Sequence, residues 1–315
     1  MIKFHIKKIN EINSDQLLSF YQKSFNYEKS VLDNFKWRYR SGFADMHPLV
    51  LLINNKICGH AGLIPIDLKI NDKVEKGIWF TDLFIEKKYR SQGYGKILTK
   101  EWMEICPTQI TLCNEQSLNV FKSLNWSSNN NFLRKIKFFN FLKVLPSFRK
   151  LVNTNIILND LGDLKLEEVN DETLKKIIHE EEKSLSKKTV GIVRDKSWFD
   201  WRINKCPYKK DIYIFSYENL YIIVHIKVRN NLKILSLIYS TKNINKDIIN
   251  LLFSFAKKNK IDYLSYISKR RPINLNFPWE RKLNFASYSA NSFSKDFLNK
   301  SLEDVQFIDS DLDYI

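Results

Sequence analysis

The spacing of apolar residues in the first half of the chain changes from one segment to the next. Lys3 to Lys8 alternates polar and apolar as a strand does, and Ser14 to Phe25 carries its apolar residues at helical spacing behind a serine placed to cap it. Val31 to Arg40 also reads as helix, with Phe35, Trp37 and Tyr39 among its apolar positions. Leu49 to Ile53 and Lys56 to Ile70 read as two strands joined at Asn54-Asn55, a turn-forming pair. Gly77 to Glu86 continues as strand and Gly93 to Ile105 as helix. Gln109 to Cys113, Glu115 to Leu124 and Phe132 to Phe138 then give strand, helix, strand. This alternation predicts an α/β fold (α+β in its segregation), a mixed central sheet flanked by helices.

The second half echoes the first. Phe35-Lys-Trp-Arg-Tyr39 returns as Phe199-Asp-Trp-Arg-Ile203, each followed by a proline (Pro48, Pro207) and then an apolar strand. Leu232 to Tyr239, Asp247 to Lys257 and Tyr263 to Ile267 again read as strand, helix, strand. The pattern predicts a divergent internal repeat, with domains at 1–140 and 161–315 and a basic, aromatic connector at 141–160.

Composition narrows the class. At 315 residues and 44% hydrophobic the chain can bury two cores, and 8 Gly with 7 Pro exclude a low-complexity polymer. No apolar run approaches the roughly 20 residues that span a bilayer, and the start lacks the continuous apolar stretch of a signal peptide. A cytoplasmic location is the expectation. Cys58, Cys106, Cys113 and Cys206 have neither metal-ligand nor redox spacing, so reduced thiols and no metal are expected.

Lys and Arg exceed Asp and Glu by 16, and 11 of that excess falls in residues 1–150; residues 121–150 hold seven basic side chains and no acid. Such a field favours an anionic partner, whether a phosphorylated cofactor, an acidic lipid surface or nucleic acid. No nucleic-acid-binding motif is present, so nucleic acid is not expected. Phe138 to Leu151 interleaves Lys143, Arg149 and Lys150 with aromatic and aliphatic residues, as interfacial helices do, although Pro146 interrupts it. An inter-domain strap is the first reading of that stretch and peripheral membrane contact the second. The oligomeric state is left open.

Five of the eight glycines fall between Gly59 and Gly95. In Trp79-Phe-Thr-Asp-Leu-Phe-Ile-Glu-Lys-Lys-Tyr-Arg-Ser-Gln-Gly-Tyr-Gly-Lys96 a strand ends, a basic turn follows, and Gly93 and Gly95 stand where an amphipathic helix begins. Glycines there let backbone N–H groups close on a phosphate at the positive end of the helix dipole. Lys87, Lys88, Arg90 and Lys96 add charge. The stretch is neither a P-loop nor the longer dinucleotide fingerprint.

Gln92-Gly-Tyr-Gly95, with Tyr89-Arg90 before it, resembles motif A of the GNAT superfamily of N-acetyltransferases. Asn114-Glu-Gln-Ser-Leu-Asn-Val-Phe-Lys-Ser-Leu-Asn-Trp126 is similar to the family's motif B, in the expected order and separation. The resemblance covers residues 1–140. It implies an acetyl-CoA donor bound in a V-shaped opening between the fourth and fifth strands. Leu83, Phe84 and Ile85 would pair their backbone with the pantetheine arm, and Arg90, Ser91, Gln92, Gly93, Tyr94, Gly95 and Lys96 would hold the pyrophosphate. Asn114 would touch the pantetheine side, and a backbone N–H near Ile85 would polarise the thioester carbonyl.

The acceptor implied is an amine on a small molecule, an amino sugar among the candidates. A base must take the amine proton and an acid must protonate the thiolate. Asp82 and Glu86 are the candidate catalytic carboxylates, with Tyr94 and His60 as weaker choices. Phe121 stands where the family often has its tyrosine acid, which leaves that role vacant and Phe121 as a cofactor contact. Asn125 replaces a motif B glycine and can hold a left-handed turn.

After Gly191 there is no glycine at all, so the second half reads as a degenerate copy shaping the acceptor side. Trp198, Trp201, Arg202, Tyr208, Arg270, Arg271 and Trp279 are its candidate acceptor contacts, with core packing the first duty of the tryptophans. Two other readings stay open: a non-catalytic acyl-CoA-binding or regulatory module, and a FemABX-like aminoacyl transferase, which the Gly-x-Gly pair argues against.

Overall fold

The computed structural model describes residues 3–25, 34–144, 155–157, 163–269 and 279–291, with Leu298, Leu302, Val305, Gln306 and Asp309. The chain divides into two compact units.

The first unit holds β1 (Phe4–Lys8), α1 (Ser14–Phe25), α2 (Phe35–Arg38), β2 (Leu49–Ile53), β3 (Lys56–Ile70), β4 (Lys73–Ile85), α3 (Tyr94–Ile105), β5 (Thr108–Cys113) and α4 (Glu115–Lys122). β1 to β4 pair antiparallel in chain order, and β5 lies parallel to β4. Every residue of β2 is buried, because helices cover both faces of the sheet. Leu49, Leu51 and Ile53 pack with Leu98 and Trp102 of α3, while Val50 and Leu52 pack with Leu17, Phe20 and Tyr21 of α1. Asn54 and Asn55 both have positive φ, as a tight hairpin of this kind requires. Asn13, one residue before the expected serine, caps α1 by accepting from the N–H groups of Asp15 and Gln16. In the segment expected to be helical from Val31, the described part is helical at Phe35–Arg38, and 31–33 lie outside the described residues.

The second unit holds β6 (Ser127–Phe138) from Asn131 onward, β7 (Lys165–Glu167), α5 (Asp171–Ser186), α6 (Lys196–Phe199, continued by a π-helical turn to Asn204), β9 (Ile212–Tyr217), β10 (Leu220–Arg229), β11 (Leu232–Ser240), α7 (Lys246–Lys258) and β12 (Tyr263–Lys269). β9 to β11 pair antiparallel, and β12 lies parallel to β11. Ile248, Leu252 and Phe255 of α7 pack on Val224, Leu235 and Leu264. Trp198 and Trp201 are buried with their rings 4.9 Å apart, as core residues. Arg270 and Arg271 lie outside the described residues.

The division differs from the sequence-based 1–140, 141–160 and 161–315 because the units trade strands. β6, which follows α4, pairs antiparallel with β12 in the second unit. β13 (Trp279–Ser289), which follows β12, pairs antiparallel with β5 in the first through Asn284–Ser289. β8 (Val190–Val193) returns to pair with β3. Of the expected connector, Phe141–Val144 forms a 3-10 turn and 145–154 lie outside the described residues.

Candidate functional site

β4 carries an extra residue opposite β3. Its partners run Ile85 with Gly59 and Phe84 with His60, then slip so that Thr81 meets Gly62. The slip is a bulge at Asp82, whose φ is 47°. β4 and β5 share only the rungs Ile78–Gln109 and Trp79–Ile110. The Thr111 hydroxyl reaches the Phe80 carbonyl at 2.7 Å, and no rung joins the two strands beyond it. Leu83 and Ile85 face the α3 side of the sheet, and Phe84 faces α1. The main chain of Leu83 to Ile85 lies beyond the last rung between β4 and β5.

A buried polar cluster fixes the bulge. Arg38 Nε and Nη2 donate to Asp82 Oδ2 at 3.3 and 3.2 Å, and the Tyr39 hydroxyl donates to the same oxygen at 2.6 Å. The His60 ring contacts the Asp82 carbonyl through Nδ1 (3.0 Å) and the Tyr21 hydroxyl through Nε2 (2.9 Å). A carbonyl only accepts, so Nδ1 carries the hydrogen and Tyr21 donates to Nε2. Burial pushes the imidazole down to about 4 against the opposing pull of Asp82, so the ring is neutral at pH 7. Burial alone would raise the Asp82 carboxyl; the Arg38 guanidinium and the Tyr39 hydroxyl outweigh it and hold the acid below the ordinary carboxylate range. A carboxylate so held is a poor proton acceptor, so Asp82 does not suit the role of base. Arg38, Tyr39 and Tyr21 went unrecognised as site residues. The repeated Trp-Arg pentapeptide was the one signal in the sequence for Arg38 and Tyr39, and Tyr21 had none.

The loop after β4 is basic and exposed. Glu86 pairs with Lys23 at 3.2 Å and Lys88 at 3.7 Å, and Arg90 Nε donates to the Ile85 carbonyl at 2.9 Å. Ser91 has φ 62°, Gln92 Nε2 donates to the Lys88 carbonyl, and Gly93 (φ 85°) leads into α3 with no side chain capping the helix. Arg90, Ser91, Gln92, Gly93 and Lys96 are all exposed. Gly93 is needed for its backbone angle. Gly95 is different: its φ is ordinary, and a Cβ there would meet only Ile85 and Val120, both at 3.8 Å. Nothing within the described residues requires a glycine at 95. Its bare backbone suits close approach by an anion at an uncapped helix end, which is how a diphosphate would fit.

Three of the expected contacts have protein partners of their own. Tyr94 is buried, its ring packed edge-on against Phe4 and against Tyr89 of the loop. Phe121 stacks on Trp126 at 4.5 Å and meets Phe80 edge-on at 5.5 Å, 1% exposed, which spends its ring in the core rather than on a cofactor. Asn114 ends β5, but its side-chain oxygen accepts from Ser117 N at 2.9 Å and caps α4. Asn125 does adopt the left-handed turn, at φ 62°.

The acetyltransferase (GNAT) family model matches residues 8–126, the stretch that holds the bulge, the loop and α3. Those residues are a GNAT domain. No curated protein matches the chain in sequence. Among solved structures, the N-myristoyltransferase of Saccharomyces cerevisiae with bound myristoyl-CoA is similar over 90% of this chain and 82% of its own, at 12% identity and a TM-score of 0.58. A GCN5-related N-acetyltransferase from Kribbella flavida is similar over 91% and 71%, at 8% identity and 0.58. A probable N-acyltransferase from Enterococcus faecalis is similar over 91% and 72%, at 11% identity and 0.56. At these identities the likeness is one of fold. The GNAT domain supports acyl transfer from CoA to an amine as the chemistry of the first unit.

The second unit also contains a bulged strand, but the helix after it begins differently. β11 carries one extra residue, Ile238, opposite the Ile223–Val224 step of β10. The helix that follows is closed by its own sequence: the Asn245 side chain accepts from Ile248 N at 2.9 Å. Where α3 offers bare N–H groups, α7 plugs them.

Proposed function

We propose that the chain is an N-acyltransferase that moves an acetyl group from acetyl-CoA to the amine of a small molecule, with amino sugars the first acceptors to test. The observation that carries this reading is Gly95, a glycine that its own fold does not need, at the uncapped start of α3 beside Lys87, Lys88, Arg90 and Lys96. The donor supplies an activated acyl carbonyl. The backbone of Ser91 to Lys96 holds its diphosphate, the freed edge at Leu83 to Ile85 holds its pantetheine arm, and a main-chain N–H near Ile85 polarises the carbonyl.

Asp82 acts as a positioning residue, through the bulge. Glu86 is the carboxylate that takes the amine proton, and Asn114 keeps β5 and α4 in place at the far wall. As the amine nitrogen bonds to the carbonyl carbon the C–S bond breaks, and the thiolate takes its proton from solvent, since Phe121 offers none. The second unit is a diverged copy that holds no CoA, consistent with Asn245 capping α7.

A non-catalytic acyl-CoA-binding module is the second reading, favoured by the paired state of Asp82 and the burial of Phe121. Calorimetry with CoA, run beside thiol release from acetyl-CoA over a panel of amines and amino sugars, separates them. Binding with turnover on any amine supports the enzyme, and Glu86→Gln then lowers kcat with little change in KM. Binding without turnover selects the module. Absence of CoA binding sinks both.

A further inference from the structure

We propose that one end of the second unit docks on an anionic lipid surface. Seven large apolar side chains stand exposed among the described residues, and four of them, Leu142, Ile157, Val228 and Trp279, belong to this unit. Hydrogen bonds, strand pairing, an ion pair and a ring contact tie them to the turn between α7 and β12. Asp262, in that turn, accepts from Lys233 N through its carboxylate at 2.8 Å, and its own N–H donates to the Lys233 carbonyl. Lys233 pairs across the sheet with Val228. Lys143, next to Leu142, lies 3.1 Å from the Asp262 carboxylate. Asn259, at the end of α7, accepts from Ile157 N at 2.6 Å. Phe138 pairs with Tyr263, the first residue of β12, and meets the Trp279 ring edge-on at 6.1 Å.

Charge follows the apolar residues to the same end. Lys257 and Lys258 end α7 and Lys260 sits in the turn, Arg229 follows Val228, and Arg281 and Lys282 follow Trp279; all six are exposed. The two acids that these contacts bring in are paired, Asp262 with Lys143 and Glu280 with Lys135 at 3.4 Å. The result is a basic rim around three aliphatic side chains and one tryptophan.

That combination selects the occupant. Phosphates of a nucleic acid would satisfy the lysines, but Leu142, Ile157 and Val228 have no aromatic face on which a base could stack. They gain only by entering an apolar phase, while Trp279 suits the interfacial layer and the lysines suit anionic headgroups. The docking is peripheral: no helix of the described residues is long and apolar enough to cross a membrane.

The test is co-sedimentation of the full chain with vesicles of phosphatidylcholine alone and of phosphatidylcholine with a third of phosphatidylserine, at low and high salt. We expect retention on the anionic vesicles, weakened by salt, and none on the neutral ones. The triple variant Lys257→Glu, Lys258→Glu, Lys260→Glu should lower partitioning about a hundredfold or more, at about 1 kcal/mol for each basic residue lost. Leu142→Ser with Trp279→Ser should lower it too, with thermal unfolding unchanged. As a second reading, vesicles with brominated acyl chains should quench part of the tryptophan emission, and Trp279→Phe should lose that part. Equal binding to both vesicle types, or undiminished binding by variants that unfold at the wild-type temperature, overturns the proposal. Retention by single-stranded RNA with none by vesicles overturns it in favour of nucleic acid.

Discussion

The guanidinium of Arg38 stands 3.2 Å from the carboxylate of Asp82, with side chains only 5% and 9% exposed, and this pair sits at the bulge of β4 opposite β3. Removing one partner leaves a buried charge uncompensated. Arg38→Met should therefore cost about 3–5 kcal/mol in chemical unfolding. The folded pKa of Asp82 is depressed, so its contribution is present above the unfolded carboxylate pKa and lost as pH falls through the folded one. The difference between wild type and Arg38→Met should accordingly narrow in acid.

His60 gives a second pH dependence, with its own window. Its folded pKa, about 4, lies below the ordinary 6.5, so protonation favours the unfolded chain. Stability should be level above pH 6.5 and fall by about 3 kcal/mol between 6.5 and 4. His60→Gln should flatten that part of the profile, and an unchanged slope would show that the ring titrates freely.

The two glycines of the loop should behave differently. Gly93→Ala forces a side chain into a left-handed angle and should destabilise the fold by about 1 kcal/mol. Gly95→Ala removes a glycine from a helix and should leave stability unchanged or raise it by up to about 1 kcal/mol. Calorimetry should nevertheless show weaker CoA binding by Gly95→Ala, at least about tenfold, the equivalent of 1.4 kcal/mol. Retained affinity would remove the cradle from the site.

Phe121→Tyr restores the residue that the motif B resemblance would place there. Its hydroxyl would enter the stack of Phe121, Trp126 and Phe80 rather than the opening. We expect a loss of about 1–3 kcal/mol of stability and no gain in thiol release.

Local chemistry was legible in the sequence. Asn54-Asn55 could only turn, Gly93 could only supply a left-handed entry to α3, and the apolar periods placed most strands within a few residues. The strand exchange was not legible, because β6 and β13 have the composition of any strand and nothing in Ser127–Phe138 says which sheet will receive it. The role of Asp82 was hidden for a related reason. A carboxylate nine residues before the expected phosphate contact Ser91 looks catalytic until Arg38, 44 positions earlier, is found against it. The packing of Phe121 and Tyr94 was not legible because spacing along a helix gives a face but not what that face meets.

The trading of β6 for β13 bears on biosynthesis. When the ribosome has released residues 1–130, the sheet of the first unit still lacks the segment that pairs with β5, and residues 284–289 must emerge before Thr108–Cys113 has that neighbour. Its last rungs therefore close late in translation, and a nascent chain stalled after α4 should expose an unpaired strand edge to chaperones and proteases.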